Sequence, residues 1–282
     1  MFLLPLWVLI MSKLNGKKEK VKLGNETGSP IAAERRNRIT QLAGQQGSVR
    51  VSELSELFQV SEVTIRSDLD VLTRQGMLVR GRGGAVRNEN SGLFIAYAQR
   101  ASVNLDAKRR IGSIAATLVT SGETIIMDAG TTVMEMAKSL SADLAVTVVT
   151  NALNVATQVG ALPNAHVIVL GGSLVRETLS TLGPHSERDL SEIAVQKVFL
   201  GANAMDAKFG ITDTQAELAR SKRFLAQTGR QVILLADSSK WGRASFAKVL
   251  PLSDIHVLIT DNDLPQEAQA IIRDMGVELV CV

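Results

Sequence analysis

Seven short apolar runs occupy the second half of the chain: Thr124 to Met127, Ala145 to Val149, His166 to Leu170, Val198 to Leu200, Val232 to Ala236, Val257 to Ile259 and Glu278 to Val282. Stretches of helical pattern separate them, the last within Pro265–Met275. Continuous apolar strands are buried on both faces, and strands that alternate with helices pair in parallel. The pattern excludes an all-α or all-β fold for this region. It predicts an α/β fold with a mainly parallel, doubly covered sheet. Nearly every run ends in Gly, Ser, Thr, Asn or Asp. In such folds ligands bind beyond the carboxyl ends of the strands.

That region is not the whole chain. With 282 residues, and roughly 150 per domain, two domains are expected. Hydrophobic residues at 45% and charged residues at 21% are ordinary globular values, which exclude disorder throughout, collagen and coiled coil. Charge is uneven. Residues 1–87 hold 14 Lys/Arg against 8 Asp/Glu, a net +6, whereas residues 88–282 hold 17 against 20, a net −3. A basic front attracts polyanions, although such charges also simply solvate a surface. The single cysteine, Cys281, cannot form an internal disulfide, which fits a reducing cytosol and a cytoplasmic protein. Three histidines and one cysteine would need carboxylates to complete a zinc site, and no metal is expected. Met1 to Ile10 is apolar but short of the ~20 residues that span a bilayer, and it lacks the flanks of a signal peptide. We expect Met11 as the start, residues 1–30 as a disordered extension, and no membrane partner.

Residues 31–87 read as a small three-helix unit. Ile39 and Leu42 share one face of a first helix that also carries Arg35, Arg36 and Arg38, and Gly47 stops it. Ser48 to Val51 alternates like a short strand. Ser52 then has the position of an N-cap for a helix through Phe58, and Ser61 for a helix from Glu62 to Gln75, ended by Gly76. Two helices so closely joined form a helix-turn-helix. Ile65, Leu69 and Leu72 phase the second helix toward the core. Val63 and Ser67 then face outward, with Asp70 and Arg74, and Thr64 and Arg66 lie on the flanks. Arg pairs with guanine, Ser and Thr bond bases or phosphates, and Val can touch a thymine methyl. Residues 77–87 place two apolar runs around a Gly–Arg tip, a β-hairpin wing whose Arg80, Arg82 and Arg87 can reach phosphates. A module for protein contacts can also be built this way. The nine Arg and no Lys across 31–87 favour DNA. The predicted DNA-binding residues are Ser61, Val63, Thr64, Arg66, Ser67, Arg80 and Arg82. Residues 88–105 are expected to be a linker, partly docked through Leu93 to Tyr97, and residues 106–282 the α/β domain.

In that domain Gly130-Thr131-Thr132 opens a helix, whose free N–H groups and hydroxyls can cradle a phosphate. Lys240 could add a point charge to the same anion. Thr150, Asn151, Gly171 and Gly172 could add donors or clearance. Any one of these loops is more often ordinary capping, but together they favour a small anionic polyol. Trp241 could stack on a sugar or cover the sheet edge. His166 and His256 are expected to be packed, and His185 to lie in a loop. No Walker-type loop or dinucleotide fingerprint occurs, so no cofactor is expected.

The run from Val51-Ser52-Glu53-Leu54-Ser55 through Val60-Ser61-Glu62-Val63-Thr64-Ile65-Arg66-Ser67-Asp68-Leu69 to Gly76 and Arg80-Gly81-Arg82-Gly83-Gly84-Ala85 resembles the DeoR family of bacterial sugar-metabolism regulators. The resemblance continues through Asp128–Thr132, Thr150–Asn151, Gly171–Gly172, Leu200–Ala202 and Asp237–Lys240, over about residues 31–282. It implies a winged helix-turn-helix repressor of a carbohydrate operon, with operator double-stranded DNA as partner and a phosphorylated sugar as releasing effector. It also implies a homo-oligomer, dimer or tetramer, and is closest to regulators of amino-sugar or hexitol use. Its effector domain is similar to ribose-5-phosphate isomerase. The isomerase pattern Gly-Ala-Asp-x-x-Asp reads here Gly201-Ala202-Asn203-Ala204-Met205-Asp206. Isomerisation needs a carboxylate that moves a proton, and Asn203 cannot. Asp206 and Glu217 remain as carboxylates, expected to bond sugar hydroxyls with Asp128, Gly201, Ala202 and Asn203. No catalytic residue and no enzyme activity are expected. The rival reading is an isomerase-like sugar-phosphate enzyme with an accessory DNA domain.

Overall fold

The structure, a computed structural model, describes residues 29–74, 78–87 and 92–282. The expectations for residues 1–28, for Gly76 as a helix stop and for the start of the linker lie outside these residues. The described chain divides at Val103/Asn104 into two compact units.

The N-terminal unit contains α1 (Ser29–Gln46), β1 (Ser48–Arg50), α2 (Val51–Phe58), α3 (Glu62–Arg74), β2 (Leu78–Gly81), β3 (Gly84–Arg87) and α4 (Gly92–Ser102). Helix α1 starts at Ser29, inside the stretch expected to be disordered, because Pro30 is well tolerated in a first helical turn. Gly47 ends it at φ +78°, a conformation suited to glycine. The strands pair antiparallel in the order β1-β3-β2. Gly84 is required there, since a Cβ would lie 2.1 Å from the Val49 carbonyl oxygen. Ile39, Val49, Val51, Leu54, Ile65 and Leu69 form the core with Leu72, Leu78 and Ala85. Ser52 does not cap α2. The helix begins one residue earlier, and the Val51 N–H bonds the Gly83 carbonyl at 2.9 Å. The wing, not a serine, satisfies that orphan donor. Residues 92–102, expected to be connector, form α4.

The C-terminal unit begins at Asn104 and runs α5 (Leu105–Thr117), β4 (Thr124–Met127), α6 (Thr131–Ser139), β5 (Val146–Thr150), α7 (Leu153–Gly160) and β6 (Ala165–Val169). It continues with β7 (Ser173–Val175), β8 (Ser180–Leu182), α8 (Pro184–Ser191), β9 (Val195–Gly201), β10 (Ala204–Asp206), β11 (Gly210–Asp213), α9 (Ala216–Thr228) and β12 (Gly229–Leu235). It ends with β13 (Ala247–Leu250), β14 (Val257–Thr260), α10 (Gln266–Asp274) and β15 (Glu278–Cys281). Seven strands make one wholly parallel sheet in the order β15-β14-β12-β9-β4-β5-β6. The apolar runs hide a period of two. Ile126, Val198, Leu200 and Leu234 enter one core, whereas Ile125, Met127, Phe199 and Ile233 enter the other. The sequence pattern did not resolve two antiparallel additions. One is the β7–β8 hairpin, and the other is a small sheet in the order β10-β11-β13. They follow β6 and β9 at the carboxyl end of the large sheet. His185 lies in the first turn of α8 rather than in a loop. His166 and His256 are exposed, not packed, and the His256 Nδ1 accepts the Val232 N–H at 3.1 Å.

Candidate functional site

The first surface is α3 with the wing. Ser61 Oγ accepts the Thr64 N–H at 3.2 Å and lies 2.9 Å from the Thr64 hydroxyl, so it caps the helix as expected. Ile65, Leu69 and Leu72 are buried, which leaves Val63 71% exposed and Arg66 and Ser67 exposed. Thr64 is half-buried. Arg66 rests on Glu62 at 2.5 Å, an exposed pair of adjacent helical turns. Such a pair is weak enough to exchange for another acceptor. Arg82 is exposed at the turn between β2 and β3. Arg80 differs from expectation. Its Nε meets Asp70 Oδ1 at 3.0 Å and its Nη1 donates to the Gly84 carbonyl at 3.2 Å. It braces the wing against α3. Asp68, two residues before Asp70 in the same helix, is buried and binds Arg35 Nε at 2.6 Å and Arg36 Nε at 2.7 Å. The motif aspartate thus ties α3 to α1.

The second surface lies where the strand order reverses, between β4 and β9. Crevices at such a switch point are where open α/β sheets bind ligands. Asp128 directly follows β4 and is buried, and its Oδ2 accepts the Gly201 N–H at 3.1 Å. Gly130, the N-cap of α6, faces Gly201 across this point, and among the described residues no side chain caps the α6 N-terminus. Thr131 and Thr132 fill the first turn, Thr132 buried. The cation on Asp128 is Lys222. Its ammonium binds Asp128 Oδ2, donates to the Gly201 carbonyl at 2.9 Å and lies 4.0 Å from Asp213 Oδ2. The sequence reading missed Lys222. The available signal was a lysine on the apolar face of α9, in line with Leu218, Leu225 and Ala226.

The other expected residues divide by use. Thr150 Oγ1 donates to the Met127 carbonyl at 2.6 Å and accepts the Ala152 N–H at 3.0 Å, joining β5 to β4. Asn151 is buried, its Nδ2 3.5 Å from Ser221 Oγ on α9, and its Oδ1 has no partner among the described residues. Gly172 stands at φ +137°, where a Cβ would lie 2.3 Å from the Leu182 carbonyl oxygen, so it docks the hairpin. Gly171 accepts the Ser186 hydroxyl at 2.5 Å. Ala202 is half-buried, and Asn203 Nδ2 donates to Ser245 Oγ at 2.7 Å. Asp206 Oδ1 accepts the Lys208 and Phe209 N–H groups at 2.8 and 3.0 Å, which shapes the β10–β11 turn. Glu217 is exposed in the first turn of α9. Lys240 closes a 3-10 turn, Ser238–Lys240, after β12. One strand, β9, separates it from β4, a spacing of about 10 Å between β12 and β4. Asp237 precedes this turn. Burial alone would raise its pKa, but hydrogen bonds from Ser239 and Asn104 and the charges of Lys240 and Lys108 outweigh it and hold the carboxyl below its usual range.

Residues 103–262 match the family described as the DeoR C terminal sensor domain, and residues 35–91 match the DeoR-like helix-turn-helix domain. The chain belongs to the DeoR family. It is 38% identical over 252 residues to the uncharacterized HTH-type transcriptional regulator YulB of Bacillus subtilis, covering 89% of this chain and 97% of that protein. It is 33% identical to the putative aga operon transcriptional repressor of Escherichia coli O157:H7, covering 89% and 94%. Ribose 5-phosphate isomerase A from Methanocaldococcus jannaschii aligns with 49% of this chain and 55% of its own, at 16% identity and a TM-score of 0.37. This DeoR-family chain is therefore a transcriptional regulator, with a helix-turn-helix for DNA and a sensor domain for a small molecule, and its relatives are regulators rather than enzymes. Among the described residues no helix is long and apolar enough to cross a membrane.

Proposed function

We propose that this DeoR-family protein represses a carbohydrate-utilisation operon and is released from its operator by a phosphorylated sugar, acting as a homo-oligomer. The observation that carries the reading is the arrangement of residues at the switch point between β4 and β9. An uncapped helix N-terminus at Gly130 suits a phosphate. Beside it, the buried Asn151 Oδ1, without a partner among the described residues, suits a ligand hydroxyl. The name of the aga operon repressor relative supports a repressor role. Val63, Thr64, Arg66 and Ser67 would read bases, and Arg82 would contact phosphates. Arg80, already held by Asp70, would position the wing.

The test is operator binding by fluorescence anisotropy, with and without a panel of sugar phosphates. One member should weaken binding, with a coupling of about 1–3 kcal/mol. Lys240→Ala should fold, bind the operator and lose most of the response, since it removes a charge-assisted contact. Thr131→Val should act in the same direction but less. If Lys240→Ala responds with wild-type affinity, the phosphate lies elsewhere. If no sugar phosphate acts on the wild type but one is converted to its ketose, the isomerase reading takes its place.

A further inference from the structure

We propose that Asn104 couples the Asp237–Lys240 turn to the start of the C-terminal unit, through which the chain continues into the DNA-binding unit. The inference rests on the function proposed above and specifies how its sensor site is connected.

Asn104 is the first residue of the C-terminal unit, two residues after α4 ends at Ser102. Its backbone is left-handed, at φ +53° and ψ +37°. Asn tolerates that region better than most residues, yet a non-glycine residue there is uncommon and points to a constraint. Asn104 stands at the N-cap of α5, but its side chain makes no capping bond. Instead Nδ2 donates to Asp237 Oδ1 at 2.8 Å, across 133 residues of sequence. Its carbonyl accepts the Lys108 N–H at 3.0 Å, which fixes it to α5.

Asp237 Oδ1 is the hub. The same oxygen accepts the Ser239 N–H at 3.2 Å and the Ser239 hydroxyl. Asp237 is 1% exposed, so the hydrogen-bond donors that reach it set its position. The turn that it organises ends in Lys240. An anion that draws the Ser239 N–H or hydroxyl toward itself competes with the oxygen that also holds Asn104. A shift there is felt at Asn104, the residue with which the C-terminal unit begins. The carboxylate is thus shared between the sensor turn and the point of chain entry.

The test uses the full chain with Trp7→Phe, so that Trp241, next to Lys240, is the sole tryptophan. The operator duplex is selected by the parent protein from a random library. Inorganic phosphate, fructose 1-phosphate and galactosamine 6-phosphate serve as probes. Asn104→Gly removes the amide and suits the left-handed backbone, so this variant is expected to fold, as its unfolding transition will check. In the parent, operator should change Trp241 emission, and a probe that binds should weaken operator affinity, typically by about 5- to 150-fold. In Asn104→Gly both binding events should persist, Trp241 should no longer respond to operator, and the affinity ratio should fall to about twofold or less. A turn merely loosened by the substitution would weaken probe binding but leave the ratio unchanged. An unchanged ratio or an unchanged Trp241 response overturns the role of Asn104, and so does a parent whose Trp241 is silent to operator. If Trp241 responds to operator in the parent but no probe alters operator binding, the sugar-phosphate reading fails and the fluorescence difference alone decides for Asn104.

Discussion

Asp68 and Lys222 are charged, nearly inaccessible and fully engaged. Burying a charge is tolerable only with partners close by. Asp68 has two guanidinium groups, and Lys222 has the Asp128 carboxylate, a backbone carbonyl and the nearby Asp213. Asp68 sits in a motif associated with DNA, yet it acts inside the domain. Lys222 sits in no recognised motif, yet it stands at the centre of the candidate sensor site. Asp237 allows a test by pH. Its carboxyl is held below the ordinary value of 3.8, so its folded pKa lies beneath its unfolded one. The associated stability is fully present above the unfolded value and is lost as pH falls through the folded pKa. Asp237→Asn should be less stable than wild type at neutral pH, and the gap in urea midpoints should close from about pH 5 towards about pH 3. A gap that stays constant over that range would mean the partners do not hold the charge.

At the level of elements, α5 packs closely on α6. Gly112 makes it possible, since a Cβ there would lie 2.5 Å from the Met136 nitrogen and 2.6 Å from the Glu135 carbonyl carbon. Both atoms are backbone and cannot swing away. Gly112→Ala should force the helices apart and destabilise the unit by about 1–3 kcal/mol, as overpacking does. Gly160→Ala, at the end of α7 and in open space, should be neutral or slightly stabilising by reducing chain entropy. Chemical denaturation of the two variants separates these outcomes, and equal stability would remove the packing argument for Gly112. The α6 end of this pair is also the one whose N-terminus meets Gly201. Packing at Gly112 therefore bears on where that terminus points.

At the level of the whole molecule, the chain has separate cores. The N-terminal core draws on residues from Ile39 to Ala85 and the two C-terminal cores on residues from Ile111 onward, with none in common. A core that owes nothing to the other unit can fold alone. The fragment 104–282 should be folded when expressed by itself and should show one cooperative thermal transition matching one of two in the full chain. It should also keep its affinity for any sugar phosphate that the full chain binds. A fragment that is unfolded by circular dichroism would show that the division at Val103/Asn104 is not one of stability.

The sequence alone determined the class of the second unit, the helix-turn-helix with its outward Val63 and Ser67, and the strand-end loops that gather the candidate sensor residues. Each of these is local: a helical period, a cap or a strand-to-loop change is written within a few neighbouring residues. Strand order is not local. Only the tertiary structure placed β9 beside β4 and so brought Gly201 to Asp128, 73 residues away, with Lys222 above both. Only pairing across the sheets gave Thr150, Gly172 and Asp206 their partners within the frame, and tied Arg80 to Asp70. Hydrogen-bond partners distant in sequence leave no periodic trace, because the chain meets them only after its strands have paired.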